Sequence, residues 1–324
     1  MMECTKGESG GIQFSIIIPA RNEERNIGRC LSSLKELDWP GSGYEVILVD
    51  NGSTDQTVAI AHDYGLHVLN RPADTVAGVR NFGAAQARGI FLVFLDADCT
   101  VPPDWFQAAS RYIDRDDVSC FGSPPVVPEH STWVQRVWFH IRKKTGVSET
   151  EWLESMNMFV RRSAFEQVGG FNAKLVTCED YDLSIRLRST GKLVSDDGIV
   201  AVHHGEATTI RHFFRKEHWR ALGNLHGMKS HAFNWRELPS ILLPILYCLF
   251  VFLLAVGIIA FVVFPHFPAA LFVIMLILIW QLPLYFISLR KVGQSGGVVA
   301  ASQLYLLLNV YFFARGVASL RWKS

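Results

Sequence analysis

The chain has 324 residues and a formal net charge of +1, with 31 basic side chains against 30 acidic ones. This balance argues against a nucleic-acid partner, because domains that bind nucleic acids usually carry a strong excess of Lys and Arg. The six cysteines form no Cys-x-x-Cys pair and have no metal-ligand spacing. Single cysteines scattered along the chain are typical of a protein in a reducing compartment. Hydrophobic residues make up 49% of the chain and are concentrated after residue 237, so we expect a soluble domain followed by a membrane region.

Residues 1–12 are polar and rich in glycine, and we expect them to be flexible. They lack the apolar stretch of a secretory signal peptide, so the first two thirds of the chain should stay in the cytoplasm. Strands and helices then alternate, which predicts a parallel α/β sheet. The predicted elements are a strand Phe14–Pro19, a helix containing Ile27–Leu34, a strand Tyr44–Val49, a helix ending at Gly65, a strand Leu66–Leu69, a helix Val79–Ala87 and a strand Ile90–Leu95.

Two carboxylates, Asp96 and Asp98, follow the most apolar strand directly. Residues at i and i+2 of an extended chain point the same way, and ligands bind at the carboxyl ends of strands in sheets of this kind. Carboxylate oxygens in such a place suit Mg²⁺ or Mn²⁺ held against a phosphate group. The alternative is an Asp-rich turn without a ligand. No P-loop motif and no dinucleotide-binding glycine motif is present.

Four motifs in order give the chain a family resemblance. They are Pro19-Ala-Arg-Asn-Glu23, Asp50-Asn-Gly-Ser-Thr-Asp55, Gly78-Val-Arg-Asn-Phe-Gly83 and Leu95-Asp-Ala-Asp98. The arrangement resembles the family 2 glycosyltransferases over residues 14–223, with Asn51 where a second Asp is commoner. The resemblance implies a GT-A fold, which is a Rossmann-like mixed α/β sheet, and a nucleotide-sugar donor with uridine as the expected base.

The resemblance also implies roles for the motif residues. Asp98 would bind the metal ion, with Asp96 and His204 as further ligands. The donor-binding residues would be Pro19, Ala20, Asn22, Glu23, Asp50, Gly52, Ser53, Arg80, Asp96 and Ala97. Among these, Arg80 would reach the diphosphate and Asp50 would read the base. Two simpler interpretations remain open: Asn22 as a helix cap and Arg80 as a solvated helix charge.

A second acidic segment, Cys178-Glu-Asp-Tyr-Asp-Leu183, precedes a helix predicted over Leu183–Thr190. It resembles the Glu-Asp-x-Asp-Leu segment of the same family. The resemblance implies that Asp180 is the general base and that Glu179 shapes the acceptor site. The helix dipole should favour an ionised carboxylate there. The alternative is plain N-terminal capping by acids. Asp182 is expected to be structural.

Three later features have weaker signals. Trp133–Lys144 predicts a helix on the acceptor side, at a membrane surface or on an ordinary protein surface. The pair His203 and His204 follows a short strand, where the resemblance favours His204 for the metal site and a turn or core role is the alternative. Arg215, His218 and Trp219 loosely resemble the Gln-x-x-Arg-Trp element of polysaccharide synthases, which makes them candidates for the acceptor side.

The C-terminal part is predicted to be membrane-associated. Leu238–Phe264 and Phe267–Leu289 each exceed the roughly 20 apolar residues that a spanning helix needs. Basic residues on both flanks, including Arg290, place both ends of this hairpin in the cytoplasm. A third segment, residues 298–314, is followed by Arg315, so we expect a re-entrant or interfacial helix. The domains are therefore a cytosolic GT-A domain at 13–230 and a membrane region at 231–324.

These features together predict a multi-pass protein of the inner membrane. The expected activity is metal-assisted, inverting transfer from a nucleotide sugar to a lipid-linked or membrane-proximal glycan. A non-catalytic, partner-recruiting membrane module and a small transporter are the alternatives. The intact Asp pairs argue against the first, and the absence of charges in the hydrophobic segments argues against the second. The donor sugar, the acceptor and the oligomeric state are not indicated.

Overall fold

The computed structural model describes residues 2–4, 11–39, 43–230, 238–263 and 267–320. The chain forms two compact units. The first consists of Met1–Glu129 and Lys143–Glu206, and the second of His130–Arg142 and Ala207–Ser324. The expected boundary near residue 230 differs from this division, because the helix before it belongs to the second unit.

The first unit is built on a nine-stranded sheet with the order β1-β3-β2-β5-β9-β7-β10-β8 among the described residues, and β4 lies beside β3. The strands are β1 Met2–Cys4, β2 Phe14–Ala20, β3 Tyr44–Asp50, β4 Val68–Asn70, β5 Phe91–Leu95, β6 Cys99–Thr100, β7 Val118–Gly122, β8 Val147–Glu149, β9 Asn157–Arg161, β10 Lys192–Asp196 and β11 Val202–His203. The helices are α1 Ile27–Lys35, α2 Thr57–Asp63, α3 Val76–Gln86, α4 Trp105–Ser110, α6 Arg162–Gln167 and α7 Glu179–Leu187.

The mixed sheet implied by the resemblance is confirmed. Strands β2, β3, β4 and β5 run parallel, as the alternating pattern predicted. Strand β9 then pairs antiparallel with both β5 and β7, and β10 returns parallel to β7. The small pair β6 and β11 is separate from this sheet and antiparallel. It forms directly after the Asp96–Asp98 segment.

Two apolar clusters, one formed by each face of the sheet, make up the core. Alternate residues of β2 divide between them, since Ile16 and Ile18 belong to one cluster and Ile17 to the other. All five residues of β5 are buried, whereas Ile90, expected inside this strand, is half-exposed and precedes it. A strand covered on both faces is continuously apolar, which explains why β5 was visible in the sequence.

The N-terminal residues differ from the expectation of a flexible segment. Met2–Cys4 pair antiparallel with β3 and add an edge strand to the sheet. Residues 5–10 lie outside the described part of the chain.

The second unit is helical. It contains α5 Trp133–Arg142, α8 Ile210–Ser230, α9 Leu238–Val263, α10 Phe267–Leu276, a π-helical segment Ile277–Gln281 and α11 Leu282–Leu320, which is interrupted at Gly297 with φ 65°. Within the described part of the chain, three helical stretches are long and apolar enough to cross a membrane. We call Leu238–Val263 the first apolar helix, Ala270–Val292 the second and Gly297–Leu320 the third. The first two match the predicted hairpin, whose expected turn at residues 264–268 lies mostly outside the described residues.

Candidate active site

Asn22 joins the first two loops at the carboxyl edge of the sheet. Its Oδ1 accepts the backbone N–H of Thr54 at 2.8 Å, and its own N–H donates to Ser53 Oγ at 2.9 Å. The residue has φ 56°, a left-handed conformation that Asn tolerates better than most residues. Helix α1 begins five residues later, at Ile27, and its N-cap position is Asn26, so Asn22 does not cap it. The side chain therefore fixes the loop after β2 to the loop after β3.

Asp50 ends β3, directly opposite Ala20 of β2, which follows Pro19. It is buried, and its Oδ2 accepts the backbone N–H groups of Gly52 and Ser53, each at 3.0 Å. Gly52 has φ 76°, a conformation that favours glycine in this tight turn. The Asp50 carboxylate thus shapes the loop that was expected to hold the nucleotide base.

Glu23 brings a third carboxylate close to the Asp pair. Its backbone N–H donates to Thr57 Oγ1 at 2.7 Å, and its Oε2 accepts from Asn26 at 2.8 Å. Burial raises the pKa of the Glu23 carboxyl, and the negative charges of Asp98 and Asp96 raise it further. This crowding of acids gives the edge of the sheet an excess of negative charge that a cation would relieve.

Arg80 connects the Asp pair to the second acidic segment. Its Nη2 donates to Asp96 Oδ1 and its Nη1 to Glu179 Oε1, both at 2.7 Å. The arginine is buried, projecting from α3, and Glu179 is the first residue of α7, which begins four residues earlier than predicted. The buried guanidinium is therefore not a solvated helix charge, and its expected contact with a diphosphate stays a prediction.

Asp98 contacts His203, the last residue of β11. The Asp98 Oδ2 and His203 Nε2 atoms are 3.0 Å apart, and Glu206 Oε1 lies 3.5 Å from His203 Nδ1. His204, the residue that was favoured, points elsewhere. Its two ring nitrogens lie 3.1 Å from an Arg29 guanidinium nitrogen and 3.0 Å from Thr100 Oγ1. The geometry therefore makes His203, not His204, the histidine beside Asp98.

The donor atoms of Asp98, Cys99 and His203 lie within 4.8 Å of one another, which suits a metal ion. Burial raises the pKa of the Cys99 thiol well above its usual range, so the sulfur stays a neutral and weak ligand. A Cβ on Gly205 would overlap Asp98 Oδ2, so only glycine leaves the carboxylate its place. A carboxylate and an imidazole fit Mn²⁺ well, while Mg²⁺ prefers oxygen ligands alone.

Asp180 follows Glu179 in the first turn of α7 and is partly exposed. Burial raises the pKa of Asp180 to about 7, and the nearby charges of Glu179 and Glu154 add to the effect. This direction is opposite to the effect expected from the helix dipole. A carboxylate of this pKa can accept a proton near neutral pH. Asp182 is instead bonded to Arg186 at 3.0 Å within the same helix.

The acceptor-side candidates lie in the second unit. Arg215, His218 and Trp219 are on α8, where Trp219 is 50% exposed and His218 stacks on Phe214 with 6.1 Å between ring centroids. Their role at an acceptor stays a prediction. Residues that the sequence did not single out are Glu206, Gly205 and Arg29. Ala97, between the two acids, is buried.

Comparison with known proteins places these motifs in a family. Residues 15–169 match the family model described as glycosyl transferase family 2. The glycosyltransferase AglE of Haloferax volcanii is 31% identical over 187 residues, which cover 55% of this chain and 62% of that protein. The β-monoglucosyldiacylglycerol synthase of Synechocystis sp. is 28% identical over 231 residues, which cover 64% of this chain and 47% of that protein.

A solved structure shows the same fold over nearly the whole chain. The mannosyltransferase PcManGT from Pyrobaculum calidifontis, in complex with GDP-Man and Mn²⁺, has a TM-score of 0.60 at 17% identity. The alignment covers 98% of this chain and 89% of that one. Residues 15–169 therefore carry a glycosyl transferase family 2 domain, and the fold is of the GT-A type, which confirms the resemblance seen in the motifs. The chain spans less than two thirds of the length of the two curated relatives. Asp180 and His203 lie beyond the matched residues 15–169.

Proposed function

We propose that this protein is a membrane-bound glycosyltransferase that moves a sugar, with inversion, from a nucleotide-diphosphate donor to a lipid-linked or membrane-proximal glycan. The family 2 domain supports the class of reaction. The three apolar helices support a membrane location, and the basic residues flanking the hairpin favour a cytoplasmic active site.

The observation that most directly supports this proposal is the bridge that Arg80 forms between two acidic segments. One guanidinium bonds Asp96, from the Asp pair, and Glu179, which is adjacent to Asp180 in the chain. A transferase needs a group that manages the leaving diphosphate and a group that activates the acceptor, held at a fixed separation. Arg80 supplies a rigid connection between the Asp pair and Glu179, which lies 99 residues beyond Arg80 along the chain. An arginine suits this task because its planar fork holds two carboxylates at once.

The proposed role of Asp180 is that of a general base. Its carboxylate takes the proton from an acceptor hydroxyl while the acceptor oxygen forms a bond to the anomeric carbon. The bond between that carbon and the diphosphate oxygen breaks on the opposite side, and its electron pair leaves with the nucleoside diphosphate. Attack opposite the leaving group inverts the anomeric configuration, so a single base suffices.

Asp98 and His203 would hold a divalent ion, and Asp96 would support the site through its bond to Arg80. When bound, such an ion neutralises the charge that develops on a leaving diphosphate. The neighbour of similar fold was solved with Mn²⁺, which agrees with a carboxylate and imidazole site.

The donor and acceptor are proposed by class. Uridine is the base expected from the motif resemblance, whereas the mannosyltransferase neighbour was solved with GDP-Man. One curated relative is named for the glucosylation of a diacylglycerol lipid, which supports an acceptor held at the bilayer. Asn22, Glu23 and the Asp50 loop would position the nucleotide.

A donor screen tests the proposal. The full chain, purified in detergent, is incubated with UDP-sugars and GDP-sugars, with and without Mn²⁺ and a lipid extract, and release of nucleoside diphosphate is measured. We expect release with one donor class that requires the ion and increases with lipid. Donor binding without any release or transfer would favour a non-catalytic module. Solute flux in liposomes without sugar transfer would favour a transporter.

A further inference from the structure

The third apolar helix, Gly297–Leu320, is long enough to cross a bilayer, yet its contacts point to a different placement. We infer that it lies in the plane of the membrane, at the end of the hairpin nearest α8, with one apolar face against lipid acyl chains. This inference concerns the second unit alone and is independent of the proposed catalytic function.

The levels of the first two apolar helices can be matched through their contacts. The rings of Tyr247 and Trp280 are 5.8 Å apart, and further along, Gly257 meets Phe272 and Val273. The two helices therefore run antiparallel side by side. Residues near 247 on the first helix lie at the level of residues near 281 on the second.

Side-chain hydrogen bonds join the third helix to this hairpin at one level. Tyr305 donates to Gln281 Oε1 at 2.9 Å, and Asn309 Oδ1 accepts from Tyr247 at 2.6 Å. At the far end, a Cβ on Gly316 would overlap Pro244 O and Cys248 Sγ.

From 305 to 316 the helix advances about 16 Å, at 1.5 Å per residue. Its partners stay at the level of residues 244–248 of the first helix, because Gln281 of the second helix lies at the level of residues near 247. That stretch of the first helix is about 6 Å long. A helix that crossed the membrane beside the hairpin would meet partners shifted by the same distance that it advances. The third helix must therefore run across the hairpin at a steep angle.

The third helix crosses the hairpin at a level that corresponds to the membrane surface. Beyond the crossing, residues 244–263 of the first helix are about 30 Å long, which is the thickness of the hydrocarbon core. The third helix is thus placed at the boundary of that core on the α8 side.

The other faces of the third helix agree with this placement. Arg315 Nε bonds Glu217 Oε2 of α8 at 3.0 Å, and Tyr311 packs against Trp138 of α5 with 5.5 Å between ring centroids. An Arg–Glu pair of this kind belongs on the side of the membrane where α8 lies, and a crossing would carry Arg315 away from it.

A separate face of the third helix is apolar and exposed at heptad spacing, at Val299, Leu306, Phe313 and Leu320. Phe313 O lies 4.0 Å from Cys248 Sγ, and the adjacent Leu249 is exposed as well. The exposed face therefore continues the apolar surface of the hairpin, whose partner is lipid.

Spin labels on the full chain in lipid vesicles test the inference. Single cysteines replace Val299, Leu306, Phe313 and Leu320, in a background in which the native cysteines are alanine. Depth is read from the relative accessibility to oxygen and to a water-soluble nickel chelate. We expect one common depth near the membrane surface. The matched control is the first helix, where Leu242, Leu249, Val256 and Val263 have the same spacing and are also exposed. Along this helix the depth should change over about 32 Å.

A depth gradient on the third helix equal to that of the control would overturn the inference. A topology reporter fused to the C-terminus of the unmodified chain gives a second readout that needs no cysteine replacement. We expect the reporter on the same side as a reporter fused before α9. Reporters on opposite sides of the membrane would show that the third helix crosses it.

Discussion

Replacing Arg80 with methionine removes the bridge between Asp96 and Glu179 while keeping an unbranched apolar side chain in place of the arginine stem. The perturbation is severe because Arg80 is only 3% exposed and Glu179 is buried beside it. Removal of one partner from a buried ion pair costs about 3–5 kcal/mol, since the remaining charge loses its compensation. In a domain of this size each kcal/mol lowers the melting temperature by about 2–4 °C, so we expect a fall of about 10 °C.

The change should also affect catalysis. Loss of the bridge frees α7 from the Asp pair, and a small displacement of a reacting group can cost about 100-fold in rate. Arg80→Lys keeps the positive charge but holds one carboxylate at most, so it should lose one charge-assisted bond, or about 1.5–3 kcal/mol. Its melting temperature and kcat should lie between those of the wild type and Arg80→Met.

Thermal unfolding of the detergent-purified chain, followed by tryptophan fluorescence, measures the first effect, and nucleotide release measures the second. Arg162→Met is the control, because Arg162 pairs with Glu166 at 2.8 Å on an exposed helix face. An exposed pair of this kind is worth about 0.3–0.5 kcal/mol, so the control should melt within about 2 °C of the wild type. If Arg80→Met also melts within that range and retains its kcat, Arg80 does not join the two acidic segments.

Three further predictions concern the base and the metal site. Because the pKa of Asp180 is raised to about 7 and the base acts when ionised, kcat should rise with pH up to about 7 and then level off; a flat profile from pH 5.5 to 8 would contradict this. His203→Ala should weaken Mn²⁺ binding by at least 10-fold, measured by electron paramagnetic resonance, whereas His204→Ala should change it little; the reverse order would restore the assignment based on the sequence. Gly205→Ala should weaken Mn²⁺ binding without removing a ligand, because its Cβ would displace Asp98, and unchanged affinity in the same titration would show that the carboxylate moves freely.

The sequence indicated the sheet and its acidic edge because both depend on local patterns. Strand β5 is buried on both faces and reads as an apolar run, and Asp96 and Asp98 follow it directly. The motif order then identified the fold. The observed strand ends differ from the predicted ones by one or two residues, as at Ile90, because the burial of a terminal strand residue depends on tertiary contacts.

The partners of these side chains could not be predicted in the same way. Arg80 and Glu179 are 99 residues apart, and no periodicity indicates that they meet. His203 and His204 are adjacent, and only the pairing of β11 with β6 decides which ring faces Asp98. Consecutive residues of a strand point to opposite sides, so an error of one position exchanges their roles.

The environment of Asp180 could not be predicted from the sequence either. The helix dipole was visible in the pattern and favours ionisation, but burial, followed by the charges of Glu179 and Glu154, raises the pKa of Asp180. Glu154 lies far from Asp180 along the chain, and its effect depends on the fold. Contacts between helices likewise decide the placement of Gly297–Leu320, which length and hydropathy alone leave open.

In the proposed mechanism Asp180 is the base and Asp98 serves the donor site. The most direct measurement compares donor binding and turnover in Asp180→Asn and Asp98→Ala. For Asp180→Asn we expect kcat to fall about 1000-fold while the donor Kd in Mn²⁺ stays within twofold of the wild type. For Asp98→Ala we expect the metal-dependent part of donor binding to be lost. Normal turnover by Asp180→Asn would exclude Asp180 as the base.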